Sequence, residues 1–144
     1  MQLDELVISS DKSNLQFDVI FNYLKNESYW GKDKTIEIVK TSIENSVCFG
    51  IYKGEKQIGF TRVVTDISVF AYLCDVFILP EFQGQGIGKY LLKNILEDKM
   101  FSGIGTWFLV TDDAQKFYNK FGFVEIPSPS RFLVKSESKI VMSE

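Results

Sequence analysis

Two periods alternate along the chain. Leu6-Val7-Ile8 is a short apolar run that predicts a first strand, and Asp11 to Asn14 predicts a turn. From Leu15 to Lys25 the period becomes helical, with Phe17, Ile20, Phe21 and Leu24 on one face and Ser13 or Asn14 placed to cap it. Lys34 to Asn45 predicts a second helix, with Ile36, Val39 and Ile43 roughly on one face. Val47 to Lys53 and Gln57 to Thr65 then read as strands, joined by a hairpin turn at Gly54-Glu55-Lys56. Phe70 to Leu79 is a further strand. Its end, Val76 to Leu79, is uninterruptedly apolar, as expected of a strand covered on both faces, and Pro80 stops it by removing a backbone donor.

Past Pro80 the helical period returns. Ile87, Leu91 and Ile95 share a face with Leu92 and Leu96 beside them, while Lys89, Lys93 and Glu97 fall elsewhere. Thr106 to Val110 predicts a strand parallel to the one before Pro80, because a helix separates the two. Thr111 or Asp112 is placed to cap a short helix reaching Lys120. Gly122 to Ile126 and Arg131 to Lys135 predict two last strands around the loop Pro127-Ser128-Pro129-Ser130, and Ser136 to Glu144 is a charged tail expected to fray. The order predicts one domain, 1–144, of the mixed α/β class. No repeat or linker interrupts it.

Composition narrows the chemistry. The chain has 144 residues, enough for one good core, with 45% hydrophobic and 24% charged residues, as in ordinary soluble globular proteins. Aromatics reach 15%, including 13 Phe, so the core and any pocket should be aromatic-rich; such a surface is also compatible with a homodimer. Net charge is −3 and the pI about 5.1, which argues against nucleic acid as a main partner. No apolar stretch approaches the ~20 residues that span a membrane. The N-terminus lacks the basic and apolar regions of a signal peptide. Cys48 and Cys74 lie far apart in apolar surroundings and read as two buried thiols of a reducing, cytoplasmic compartment. The count of histidines is zero, which removes histidine triads, H-E-x-x-H zinc sites and imidazole bases and leaves acid–base work to carboxylates, Tyr, Lys, Cys, backbone or water.

The stretch with the most chemistry is Gln83-Gly84-Gln85-Gly86-Ile87-Gly88, set between a buried strand and a helix. A helix start offers about four unpaired N–H groups and the positive end of a dipole, and glycines let an anion come close to them. Neither common phosphate motif fits. A dinucleotide fingerprint would need glycine at Lys89 or Leu91, and a P-loop would need Ser or Thr where Tyr90 stands. The spacing present, Gln83-x-x-Gly86-x-Gly88 after a strand and Pro80, resembles motif A of the GNAT superfamily of acyl-CoA-dependent N-acyltransferases. Thr111 to Phe123, with Tyr118 shortly before Gly122-Phe123, is similar to motif B of the same superfamily. The likeness covers roughly Val47 to Phe123.

That resemblance implies a GNAT fold: a mixed, mostly antiparallel twisted sheet, splayed between two parallel strands and flanked by helices. It implies acetyl-CoA as co-substrate, no metal, and transfer to a primary amine by direct attack. Gln83, Gly84, Gln85, Gly86, Ile87 and Gly88 would hold the pyrophosphate. The backbone at Val76, Phe77 and Ile78 would pair with the pantetheine arm as an added strand does, and an N–H near Phe77 or Ile78 would stabilise the oxyanion. Thr111 stands where many members place a cofactor-contacting Asn. Tyr118 would protonate the departing thiolate.

Other residues leave two readings each. Asp75 is a candidate general base or a carboxylate that holds neighbouring backbone. Arg62 either pairs with Asp66 or Asp75 or clamps a substrate carboxylate. Tyr29 and Trp30 either pack on the core or wall a substrate pocket. A small-molecule amine is the expected acceptor. A non-catalytic acyl-CoA-binding domain, another acyl group or an O-acceptor are the alternatives.

Overall fold

The computed structural model describes residues 2–137. Five strands form one sheet in the order β1 (Val7–Ser9), β2 (Val47–Lys53), β3 (Lys56–Thr65), β4 (Phe70–Ile78) and β5 (Thr106–Phe108). The first three junctions are antiparallel and the last, β4 with β5, is parallel. This is the mixed, mostly antiparallel sheet expected. Helices α1 (Phe17–Asn26) and α2 (Ile36–Glu44) cover one face, and α3 (Ile87–Leu96) and the short α4 (Gln115–Asn119) cover the other.

Local chemistry explains the joints. Gly54 takes φ +59°, the left-handed turn that closes the β2–β3 hairpin. Gln16 and the fully buried Gln57 clamp α1 to β3: the Gln16 N–H donates to Gln57 Oε1 at 2.7 Å, and the Gln57 N–H donates to Gln16 Oε1 at 3.2 Å. The start of α1 is thus tied by a tertiary contact and not by Ser13 or Asn14, which lie in a preceding 3-10 turn capped by Asp11. At α4 the Ala114 N–H donates to Thr111 Oγ1 at 3.0 Å, so Thr111 supports the start of that helix.

Two cores flank the sheet. Ala71, Leu73, Val76 and Ile78 of β4 pack into the larger one under α3, whereas Phe77 packs into the smaller one with Ile20, Leu24 and Val39. In an unbroken strand Leu73 and Phe77 would share a face, since side chains alternate strictly. They do not, because Asp75 is an extra residue. Phe60 pairs with Phe77 and Arg62 with Cys74, so Asp75 and Val76 together oppose Thr61, and Asp75 sits at φ +54°. The bulge bends β4 and turns Phe77 towards α1.

The pairing of β4 with β5 ends at Tyr72 opposite Phe108, while β4 continues to Ile78. The two parallel strands therefore part at the bulge. The strands expected over 122–126 and 131–135 do not form. The first is irregular, and a 3-10 turn at Pro129–Arg131 leads to an extended segment where Leu133 is 94% exposed. Alternation favours a strand only where a partner edge is presented; here β5 is three residues long, and Pro127 and Pro129 supply no donors. Most of the tail over 136–144 lies outside the described residues.

Candidate acyl-transfer site

The parting of β4 and β5 opens a groove of about 720 Å³. One wall is the end of β4, with Val76, Phe77 and Ile78. Leu79 donates its N–H to Ile58 O of the preceding segment at 2.8 Å, so by strand alternation Phe77 also turns its main-chain groups to β3, while those of Val76 and Ile78 face the groove. Gln83 Nε2 donates to the Ile78 carbonyl at 2.8 Å, which binds the glycine turn to this edge and leaves the Ile78 N–H pointing into the opening. Of the two N–H groups anticipated as oxyanion donors, that of Ile78 faces the groove and that of Phe77 faces β3.

The floor at one end is the glycine turn. Gly84 and Gly86 take φ +78° and +80°, and Gly86 is the N-cap of α3. Gly88, in the first turn, has ordinary room for a Cβ against Phe117 at 3.7 Å and Ile78 at 3.8 Å, and its bare backbone lines the groove. Lys89, in the first turn of α3, and Lys120, at the end of α4, also line the groove. A helix start, bare glycine backbone and two cations together suit a pyrophosphate.

Tyr118 of α4 forms the opposite wall and is 5% exposed. Burial, with a lesser contribution from the Asp113 charge, pushes its phenol up to about 12. The hydroxyl therefore stays protonated through the physiological range, as a standing donor.

Tyr29 and Trp30 line the far end with Tyr23. Their loop is set by Ser28, whose buried hydroxyl donates to Leu24 O at 2.6 Å and accepts the Gly31 N–H at 3.0 Å. The Tyr29 hydroxyl accepts the Asp112 N–H at 3.0 Å and so bridges the groove from the α1–α2 loop to the loop after β5. Tyr23 stacks on Phe77, with centroids 4.0 Å apart.

Four predicted residues lie outside the groove walls. Asp75 is 2% exposed, with Arg62 Nε at 2.8 Å from Oδ2 and Trp30 Nε1 at 2.9 Å from Oδ1. Arg62 takes the pairing alternative, with Asp75 and not Asp66, and its Nη1 donates to Ser46 Oγ at 3.1 Å. Burial alone would lower the Arg62 pKa, but the Asp75 carboxylate and its hydrogen bond override this and leave it raised. Asp66 instead accepts the N–H groups of Ser68, Val69 and Phe70 in the β3–β4 turn. Thr111 lines a neighbouring hollow below β5, and Gln85 is exposed on the outside of the glycine turn. Sequence reasoning missed Tyr23, Glu27, Lys89, Asp113 and Lys120 as groove residues. Lys89 was legible from its place in the first turn of a glycine-preceded helix; Glu27 had only its position beside Tyr29-Trp30 to mark it.

The family model for the acetyltransferase (GNAT) domain matches residues 44–125. The chain belongs to the GNAT acetyltransferases. It is 36% identical over 100 residues to the uncharacterised N-acetyltransferase ycf52 of Gracilaria tenuistipitata var. liui, an alignment covering 65% of this chain and 55% of that protein. A Gibberella zeae protein named as an acetyltransferase is 30% identical over 112 residues, covering 65% of this chain and 63% of its own. The GNAT chain thus spans somewhat more than half the length of these relatives. Among solved structures, one from Xanthomonas campestris pv. campestris, described as belonging to the GNAT family, superposes with a TM-score of 0.88 at 33% identity, covering 91% of this chain and 92% of that one. A GNAT acetyltransferase from Elizabethkingia anophelis, solved with acetyl-CoA bound, shares the fold with a TM-score of 0.62 at 16% identity. Among the described residues, no helix of this GNAT domain is long and apolar enough to cross a membrane.

Proposed function

We propose that the protein transfers an acetyl group from acetyl-CoA to a primary amine by direct attack. The observation that carries this reading is the shared groove: the free edge of β4 at Val76 and Ile78, the glycine turn of α3 and Tyr118 all face one opening. Pyrophosphate oxygens would accept N–H groups of the α3 first turn, with Lys89 and Lys120 beside them. The pantetheine arm would take the vacant edge of β4 as an added strand. The Ile78 N–H would donate to the thioester oxygen as it gains charge.

The amine nitrogen then attacks the carbonyl carbon. A C–N bond forms, the C–S bond breaks, and Tyr118 donates its proton to the departing thiolate. A phenol near 12 is a weaker acid than a thiol near ~8.5. Tyr118 therefore works as a relay: the attacking nitrogen, made acidic by its new bond, returns a proton to the phenolate. Asp75, with Arg62 on one oxygen and Trp30 on the other, serves the site by holding the loop that carries Tyr29 and Trp30.

Calorimetric titration with acetyl-CoA, NADH and ATP tests the donor, and thiol release with a panel of primary amines tests the transfer. Saturable acetyl-CoA binding, no response to the other two and amine-dependent thiol release are expected. Failure to bind acetyl-CoA removes this donor; binding without thiol release for any amine makes the domain a non-catalytic acyl-CoA binder.

A further inference from the structure

We propose that Glu27 is the base of the reaction: it takes the proton from the acceptor ammonium at the aromatic end of the groove. The inference rests on the acetyltransferase reading above. An alkylammonium has a pKa near ~10.4 and cannot attack until it loses a proton. The chain has no histidine. Asp75, the carboxylate singled out by sequence, has both oxygens engaged and lies outside the groove walls. Among the described residues, the groove is lined by two carboxylates, Glu27 and Asp113.

Their positions separate them. Asp113 stands at the start of α4, where its charge acts on Tyr118 and so belongs to the leaving-group wall. Glu27 ends α1, at the wall made by Tyr23, Tyr29 and Trp30. Glu27 and Tyr23 also line a second hollow of about 730 Å³, bounded by Asp18, Leu79 and Glu81. An acceptor arriving through that hollow reaches Glu27 and the Tyr23 ring without crossing the pyrophosphate turn. Aromatic faces suit a cation, and the carboxylate completes its recognition.

Local stability does not account for a glutamate here. Its N–H donates to Tyr23 O at 2.8 Å, so Glu27 is fixed at the C-terminal end of α1, where a negative charge opposes the helix dipole. The proton balance is complete without a further reactant. The ammonium gives one proton to Glu27, which passes it to solvent. The freed amine attacks, and its second proton replaces the one Tyr118 donates to sulfur. The products are the N-acetyl amine, CoA thiol and one proton.

The test compares the wild type with Glu27→Gln and Asp113→Asn, using benzylamine and putrescine as acceptors and following thiol release from pH 6 to 10. Glu27→Gln is expected to lower kcat/KM by about 100-fold at pH 7. The deficit should shrink about tenfold per pH unit, because the variant can use only free amine, whose fraction rises tenfold per unit below its pKa. Affinity for acetyl-CoA and Tm should not fall, and Asp113→Asn, whose charge acts on Tyr118 at the leaving-group wall, should not give a deficit that shrinks with pH. Wild-type rates in Glu27→Gln, or a deficit that stays constant with pH, overturn the proposal while leaving the acetyltransferase reading intact. A wild type that releases no thiol with these amines or with any other amine of the panel overturns both.

Discussion

The Trp30 indole N–H donates to Asp75 Oδ1 at 2.9 Å, joining the loop after α1 to the bulge of β4 across 45 residues of sequence. The other oxygen of Asp75 carries Arg62, and Arg62 reaches on to Ser46. One buried carboxylate thus fixes the bulge that turns Phe77 towards Tyr23 and the aromatic that walls the far end of the groove. A strand position that tolerates a left-handed φ, as Asp does better than most residues, is spent on geometry.

Asp75→Asn should therefore behave as a stability variant. It keeps a partner for Trp30 but leaves the guanidinium of Arg62, 8% exposed, without a counter-charge. Breaking a buried pair from one side costs about 3–5 kcal/mol. In a chain of this size that is a Tm loss on the order of 10 °C. Adding Arg62→Met should recover much of it, since removing both charges removes the unpaired one. Thermal denaturation of the three proteins checks this. Assayed below its melting range, Asp75→Asn should lose rate without changing the shape of its pH profile; a new pH limb would make Asp75 a proton carrier.

The glycine turn separates fold from ligand. Gly86 takes φ +80°, and a methyl group added there would have no neighbour within 4 Å. Gly86→Ala therefore meets only the backbone cost of the left-handed conformation, about 1–2 kcal/mol. Gly88 is not in that region, and a Cβ there makes ordinary contacts with Phe117 and Ile78. Gly88→Ala should leave Tm unchanged. It should weaken acetyl-CoA binding at least tenfold, because the methyl occupies space at the helix start where the pyrophosphate is proposed to sit. Calorimetry beside a melting curve reads both, and an unchanged Kd would move the phosphate elsewhere.

Local signals in the sequence reach the glycine turn and stop short of the bulge. The run ending at Pro80, the glycines and the period change at Ile87 each have their own physical cause, and they placed β4, α3 and the turn between them. Tyr118 was legible through its spacing to Gly122-Phe123. The bulge at Asp75 was not, because nothing within β4 announces that Thr61 will face two residues; register is a property of the pair. The strands expected at 122–126 and 131–135 failed for the same reason, since alternation states a preference and the neighbouring edge decides. Glu27 is exposed and polar at a helix end, like most such residues, and only the shared walls of two hollows distinguish it.

Tyr118→Phe tests the proposed proton relay. The ring keeps its contacts with Phe117 and Phe123, so packing and Tm should change little. Acetyl-CoA affinity should hold, because the edge of β4 and the glycine turn are untouched. The rate at saturation should fall about 100-fold, more than KM for acetyl-CoA rises. Steady-state kinetics with both substrates varied makes the measurement; an undiminished kcat would remove the hydroxyl from the mechanism.

Alkaline pH probes the buried groups together. Burial pushes the Cys48 thiol from an ordinary 9.0 to about 11, the Cys74 thiol from 9.0 to about 12 and the Tyr118 phenol from 10.0 to about 12. Burial raises Tyr72 and Tyr52 as well. Each group holds its proton more tightly in the folded chain than in the unfolded one. Above pH ~9 the unfolded chain therefore binds fewer protons, and the slope of stability with pH is negative. The stabilisation is complete below the unfolded values and is lost as pH climbs through the folded ones. Melting curves should accordingly be flat from about pH 7 to 8.5 and fall progressively above pH 9, with Cys48→Ala showing a shallower fall. The same burial should keep both thiols silent towards an aromatic disulfide reagent at pH 8 until denaturant is added. Rapid labelling of either thiol in the native protein, or a Tm that stays level to pH 10.5, would contradict this account of the core.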